Sequence, residues 1–320
     1  MTDFHLAVAA PADHGSIDRP LIVTGWGDRS AVHEATAVAR ALGRIGSPPA
    51  TLLSVVDHIG DVSASESETA ENLLANRTVD AHVERLLEVV EALSTKIETA
   101  VRRGPTVPKI LDAVERDGYD IVVVLSDGSE MTTRIVERLI EACPVPVLLE
   151  PTDPQEVLPS VVVAIDPDAS VQLTQRLLWF ASAIARSLEG ELHLVHAWEV
   201  AGQRQLLSSS VGITARELGD HASTIEQTHT RAFDRALVDA GLADIDDIRV
   251  TRHLVEGPAS VAIHRVVALN HIGLVVTGSS GRPSIDRAVD GSQSLSIALG
   301  KGHATLIVTP LSRLDQRREP

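Results

Sequence analysis

The chain has 320 residues, 44% of them hydrophobic and only 2% aromatic, with 44 acidic against 28 basic residues and a formal net charge of −16. Such a chain can bury one or two sizeable cores resting on Val, Ile, Leu and Ala, a usage that suits parallel sheets covered by helices. An acidic surface with only Lys96, Lys109 and Lys301 for lysines argues against a duplex nucleic-acid partner, one cysteine excludes an intramolecular disulfide, and no apolar stretch reaches membrane-spanning length.

The N-terminal MTDFHLAVAAPADHG has a short apolar patch and no basic leader, so it reads as a frayed arm rather than a signal peptide; with the lone Cys143 this sets a cytoplasmic expectation. Residues 21–30, LIVTGWGDRS, read as a buried strand ending in a polar turn. An alanine-rich helical pattern follows over Ala31–Leu42, then an apolar run, Thr51–Val56, and a long amphipathic stretch over 66–93. Gly104-Pro105 opens another helix toward Ile110. Apolar runs at Ile121–Leu125 and Val145–Leu149 close this half, and Cys143 just before the last run reads as a packed small apolar residue. Residues 150–156, EPTDPQE, are polar and proline-rich, as linkers are.

The same order then repeats. Residues 161–170, VVVAIDPDAS, form a strand and turn; Gln172–Leu188 is helical; Glu191–Ala197 is apolar; 214–241 is long and amphipathic; Gly257-Pro258 opens a helix toward Ile263. Ile272–Val276 and Thr305–Val308 supply the last strands, and LSRLDQRREP makes a loose tail. The reading is α/β: two tandem domains, 1–152 and 157–312 with a tail at 313–320, each an open, mostly parallel five-stranded sheet with helices on both faces.

Ligands of open parallel sheets sit beyond the carboxyl ends of the strands. In the second half Asp166 ends the first strand, Ala197 ends the second, and a glycine-rich loop follows the fourth, LVVTGSSGRPSIDRAVDGS over 274–292. A carboxylate accepts from ribose hydroxyls, a backbone near Ala197 reads an adenine edge, and glycines admit backbone N–H groups close to phosphate. Together the three parts describe a nucleotide.

These residues resemble the universal stress protein family, and the whole chain is similar to its tandem, two-domain members. The family's Gly-x2-Gly-x9-Gly-Ser/Thr pattern is met by Gly278, Gly281, Gly291 and Ser292, its acidic residue by Asp166, and its glycine before the third helix by Gly257. The resemblance implies an adenine nucleotide α-hydrolase-like fold and pairing through the last strand, here as an internal pseudo-dimer of the two domains, with a homodimer also open. It also implies ATP (or AMP or ADP), with Asp166 on the ribose, the Ala197 backbone on adenine, and Gly278, Ser279, Ser280, Gly281, Gly291 and Ser292 on the phosphates. The protein client and the stress signal are left unspecified.

Asp286 and Asp290 lie inside the loop and oppose phosphate unless Mg2+ intervenes, with Arg282 and Arg287 offsetting them and Pro283 stiffening the chain. In the first half the loop is missing and the return to the last strand is about eight residues shorter by simple counting. There Asp127 is read as standing where Gly278 stands and Trp26 as replacing Asp166, so no nucleotide is expected in 1–150. His221 and His229, eight apart, could share a helix face but lack a third metal ligand. No nucleophile–base pattern, GxSxG or Gly-Lys-Ser/Thr ending is present, so the expectation is a regulatory protein rather than an enzyme, with slow ATP hydrolysis or autophosphorylation at most. Two other readings stay open: an interaction protein that binds no nucleotide, and a nucleotide-dependent ligase or transferase. The acidic, lysine-poor composition fits a salt-rich cytoplasm as well as an ordinary acidic protein.

Overall fold

The first half runs β1 (Pro20–Thr24), α1 (Ala31–Arg44), β2 (Thr51–Val56), α2 (Ser67–Ala92), β3 (Glu98–Arg103), α3 (Thr106–Asp117), β4 (Ile121–Ser126), α4 (Glu130–Ala142) and β5 (Val147–Pro151). The second runs β6 (Leu158–Ala164), α5 (Val171–Ser187), β7 (Leu192–Trp198), α6 (Ala215–Asp239), β8 (Val250–Glu256), α7 (Ala259–Asn270), β9 (Ile272–Gly278) and β10 (Ala304–Val308). The computed structural model describes residues 17–24, 30–56, 67–93, 97–153, 158–199, 215–242, 245, 247–278 and 302–308, with side chains omitted for 67–76 and 215–220.

The alternation produces one continuous ten-stranded sheet in the order β3-β2-β1-β4-β5-β10-β9-β6-β7-β8. The two expected five-stranded sheets are therefore fused. Every pairing within a half is parallel, and the halves meet where β5 and β10 pair antiparallel, Leu148 opposite Leu306. β1 is buried along its whole length, as a central strand of a sheet covered on both faces must be. The third strand of each half escapes the apolar-run reading because β3 (ETAVRR) and β8 (VTRHLVE) are the sheet edges and only partly buried. Charged side chains on such edges discourage further strand pairing.

One apolar cluster crosses the seam beneath α1, α2, α5 and α6, holding Ile22, Val38 and Leu86 of the first half with Val163, Leu177 and Phe233 of the second. The opposite face carries two clusters, one under α3 and α4 and one under α7. Ile307 of β10 belongs to the first-half cluster, so the halves share packing on both faces. Cys143 is buried there, in keeping with a small apolar role.

The antiparallel Leu148–Leu306 pair defines a pseudo-two-fold relation, and the ladders extend it. Val122 pairs with Val147 as Val275 pairs with Thr305. It follows that Val122 corresponds to Val275, Leu125 to Gly278, Asp127 to Ser280 and Gly128 to Gly281. This corrects the sequence alignment of the halves by two residues. The stretch from Val275 to Thr305 exceeds that from Val122 to Val147 by five residues rather than eight.

Candidate functional site

In each half the chain moves outward through three strands and then returns to the other side of the first, which leaves a crevice at the switch point. In the second half that point lies between the carboxyl ends of β6 and β9. Asp166 sits two residues past the end of β6, exposed, and Gly278 closes β9.

Asp166 organises the turn leaving β6. Its Oδ1 accepts from the Asp168 N–H at 3.0 Å and its carbonyl from the Ala169 N–H at 3.1 Å. It is not the helix cap. Ser170 is the N-cap of α5, its hydroxyl accepting from the Leu173 N–H at 3.2 Å. Among the described residues the Oδ2 of Asp166 accepts no hydrogen bond, which leaves one carboxylate oxygen at the crevice rim.

Ala197 is the penultimate residue of β7, Trp198 being the last. The Val195 carbonyl accepts from Ile165 on the β6 side at 2.8 Å, and the Trp198 carbonyl accepts from Gly257 on the β8 side at 2.8 Å. Strand alternation therefore turns the N–H and C=O of Ala197 toward β6, past the last β6–β7 register pair, Ala164–Val195. A peptide group at that place can offer one donor and one acceptor to a planar base.

The glycines have separate causes. Gly257 has φ +125°, a conformation L side chains rarely adopt, and a Cβ there would meet nothing within 4 Å. Pro258 follows as the N-cap of α7. Gly278 is held by packing, since a Cβ on it would lie 3.1 Å from Leu173 Cδ2 of α5. Its lack of a side chain thus has a reason within the fold, independent of phosphate. Ser279, Ser280, Gly281, Gly291 and Ser292 lie outside the described residues, as do Asp286 and Asp290.

A histidine pair behind β7 escaped the sequence reading. His196 Nε2 and His229 Nδ1 are 2.9 Å apart, and His196 Nδ1 donates to the Ile165 carbonyl at 3.2 Å, directly before Asp166. Burial, with the His229 ring beside it, holds His196 below the ordinary imidazole range against the pull of Ile165, Asp166 and Asp168. His229 also stacks on Trp198. His221 is exposed, and the residue that meets His229 is His196, 33 positions away. Among the described residues no three His, Cys, Asp or Glu side chains converge as a metal cluster.

In the first half the polar residues that follow β4 bond to one another. Asp127 Oδ1 accepts from the Ser129 N–H at 2.9 Å and from the Thr132 hydroxyl at 2.7 Å, at the start of α4. Burial raises the Asp127 carboxyl, but the bonds from Ser129 and Thr132 outweigh it and leave the group below the usual carboxylate range. Ser129 caps the same helix, accepting from the Thr132 N–H at 3.2 Å. An ionised carboxylate already occupies the helix N-terminus an anion would use. Gly104 repeats the geometry of Gly257 with φ +124°, but Lys109 Cε lies 2.8 Å from where its Cβ would be. By the same pseudo-two-fold relation Thr24 corresponds to Ile165, so the residue matching Asp166 is Gly25, which with Trp26 lies outside the described residues.

A family model described as "Universal stress protein family" matches residues 21–150 and again 159–308. Among solved structures the chain is similar to a universal stress protein from Archaeoglobus fulgidus, at 18% identity and TM-score 0.60, over 92% of this chain and 97% of that one. A functionally unknown protein from Pseudomonas aeruginosa PAO1 is similar at 17% identity and TM-score 0.59, covering 94% and 95%. A putative universal stress protein from Pseudomonas aeruginosa UCBPP-PA14 follows at 16% and TM-score 0.55, covering 95% and 96%. No curated protein matches the sequence.

Proposed function

This chain belongs to the universal stress protein family, and from that premise we propose that its C-terminal repeat binds an adenine nucleotide (ATP, or AMP or ADP) as a regulatory stress-response protein. Occupancy would alter the surface presented to a protein client. The observation that supports this most is the asymmetry of the two crevices. At the second, an exposed Asp166 carboxylate, the Ala197 peptide turned toward β6 and open space above Gly257 surround one switch point. At the first, the Lys109 side chain lies against Gly104, the match of Gly257, and the Asp127 carboxylate is bound to the start of α4.

In this reading Asp166 accepts from the ribose, the Ala197 backbone meets adenine, Gly257 leaves room for the sugar, and the loop from Gly278 through Ser279, Ser280, Gly281 and Gly291 to Ser292 cradles the phosphates. Asp286 and Asp290 make the phosphate contact depend on Mg2+. A second reading, an interaction protein that binds no nucleotide, draws support from Gly278, whose packing against Leu173 gives that glycine a reason without phosphate.

Calorimetric titration with ATP and AMP, with and without Mg2+, separates the two. The nucleotide reading expects one site per chain, weakened about tenfold by Asp166→Ala, the ~1.5 kcal/mol of a hydrogen bond to a charged group. Asp166 is exposed but its Oδ1 accepts from the Asp168 N–H, so circular dichroism checks that the variant keeps its fold. Silence toward every adenine compound at millimolar concentration leaves the interaction reading standing.

A further inference from the structure

The histidine pair behind β7 joins the two strand ends that frame the second crevice. His196 is buried directly before Ala197, and its Nδ1 lies 3.2 Å from the carbonyl of Ile165, directly before Asp166. A carbonyl can only accept, so Nδ1 carries the proton and Nε2 presents a lone pair. His229 Nδ1, 2.9 Å from that Nε2, is therefore the donor. The bonds run from His229 through His196 to Ile165, and the end that cannot donate fixes both tautomers. The second nitrogen of His229, Nε2, is left with its lone pair, on a half-buried ring stacked against Trp198, the residue after Ala197.

That arrangement accepts one proton without breaking a bond. A proton from solvent settles on His229 Nε2, His229 keeps donating through Nδ1, and His196 keeps donating to Ile165. A second proton, on His196 Nε2, would set two N–H groups head to head, so the pair takes up one. Asp166 and Asp168 of the turn after β6 attract that charge, while burial and the neighbouring imidazole of α6 keep it off His196. β8 places the apolar Leu254 beside His196 in the ladder, and α6 adds Phe233. The more exposed ring, His229, is thus where the charge resides. The first half puts a hydroxyl at the matching place: Ser54 meets a single imidazole, His82 of α2, at 2.6 Å.

We propose that His196 and His229 act together as positioning residues for Asp166 and make nucleotide affinity at the second crevice depend on the uptake of one proton. The inference rests on the nucleotide reading above. His196 holds the Ile165–Asp166 peptide by its carbonyl, and that peptide sets where the Asp166 carboxylate stands. A charge on His229 polarises the chain of bonds and strengthens the one to Ile165. It also puts a positive charge behind a site for an anion. Nucleotide and proton then favour each other by the same factor in both directions. Affinity rises as pH falls through the imidazole range.

The test is calorimetric titration of the full chain with AMP at pH 6.0 and pH 8.0, on the parent and three variants whose fold circular dichroism checks. His229→Gln keeps an amide donor for His196 but removes the nitrogen that takes the proton. His196→Ser copies the first half and breaks the relay at its other end. His253→Gln is the control, since it alters the other histidine contact of β7, His193 Nδ1 to His253 Nε2 at 2.9 Å. The ionisation of the AMP phosphate is common to all four proteins and cancels when their affinity ratios between the two pH values are compared. The ratio is expected to be about fivefold larger in the parent and His253→Gln than in His229→Gln and His196→Ser, as one nearby charge gives at a partly screened site. His196→Ser should also bind about threefold more weakly at pH 8.0, where the lost bond to Ile165 acts without the proton. Equal ratios in the parent and His229→Gln, with AMP still bound, would overturn this inference and leave the nucleotide reading standing. A ratio lost equally in His253→Gln would overturn it too, because the proton would then not belong to this pair. AMP unbound by the parent at both pH values removes the nucleotide reading and this inference with it.

Discussion

The two halves of this molecule share strand order, ladder register and the paired glycines Gly104 and Gly257, yet they spend polar side chains in different places. The first half puts charge where the second is apolar. Glu150, fully buried at the end of β5, receives Arg40 at 3.0 Å and Arg44 at 2.9 Å. Matched through their helix caps Ser30 and Ser170 and through the seam, the corresponding residues are Phe180, Ile184 and Val308, all buried. The second half puts histidines where the first is apolar or small, His264 and His303 against Leu111 and Val145, and His196 against Ser54. Equivalent backbones therefore do not imply equivalent sites; each half keeps the frame and repopulates the positions around it.

The largest expected effect breaks the charged cluster. Glu150→Val leaves Arg44 buried without its carboxylate and is expected to cost about 3 to 5 kcal/mol in urea unfolding. The triple change Arg40→Phe, Arg44→Ile, Glu150→Val, which copies the second half, should recover most of that loss. If the single and triple variants unfold at the same urea concentration, the two helices do not pack equivalently.

Next in size is Gly278→Ala. The added methyl meets Leu173 Cδ2 at 3.1 Å and should cost about 1 to 3 kcal/mol, as overpacking does. Leu173→Ala in the same chain should lower the cost of the glycine change. A penalty unmoved by Leu173→Ala would return the glycine to a purely functional role.

A smaller contrast sharpens the comparison of Gly104 with Gly257. Both have φ near +125°, so alanine strains either by about 1 to 2 kcal/mol. Gly104→Ala must also displace the Lys109 side chain and should be the more damaging of the two by a few tenths of a kcal/mol. Thermal melts of both variants would reverse that order if Lys109 moves aside without cost.

The last contrast is spread over several groups. Burial lowers His193, His196, His253 and His303 in the second half, with His82 the first-half counterpart. A histidine whose folded pKa is depressed binds more protons when unfolded. Its contribution is complete above the unfolded value of about 6.5 and is lost as pH falls below it. The second half should therefore loosen first between pH 7.5 and 5.5, read by hydrogen exchange on β7 against β2. Equal loss in both strands would remove the histidines as the cause.

Much of this was legible in the chain. Buried Val and Ile runs fix the central strands because a strand covered on both faces cannot alternate, and Gly-Pro pairs mark the third helices because only glycine takes φ near +125°. The edge strands were implied by the count but not located, since half-exposed strands need few apolar residues. The correspondence of Asp127 with Gly278 slipped by two residues. Counting to the end of an apolar run does not reveal which residues face each other across a ladder, and a slip of two preserves the side-chain face.

Sequence alone determined the repeat, the fold class and the placing of Asp166 and Ala197 beside strand ends, because periodicity, caps and turns are local and are written in neighbouring residues. The family resemblance implied that the halves pair through their last strands; only the tertiary structure decided the antiparallel register of β5 and β10, that Gly278 answers to Leu173, and that His264 meets His303. Those facts join residues tens to hundreds of positions apart, and contact at such separation is set by packing that no local pattern records.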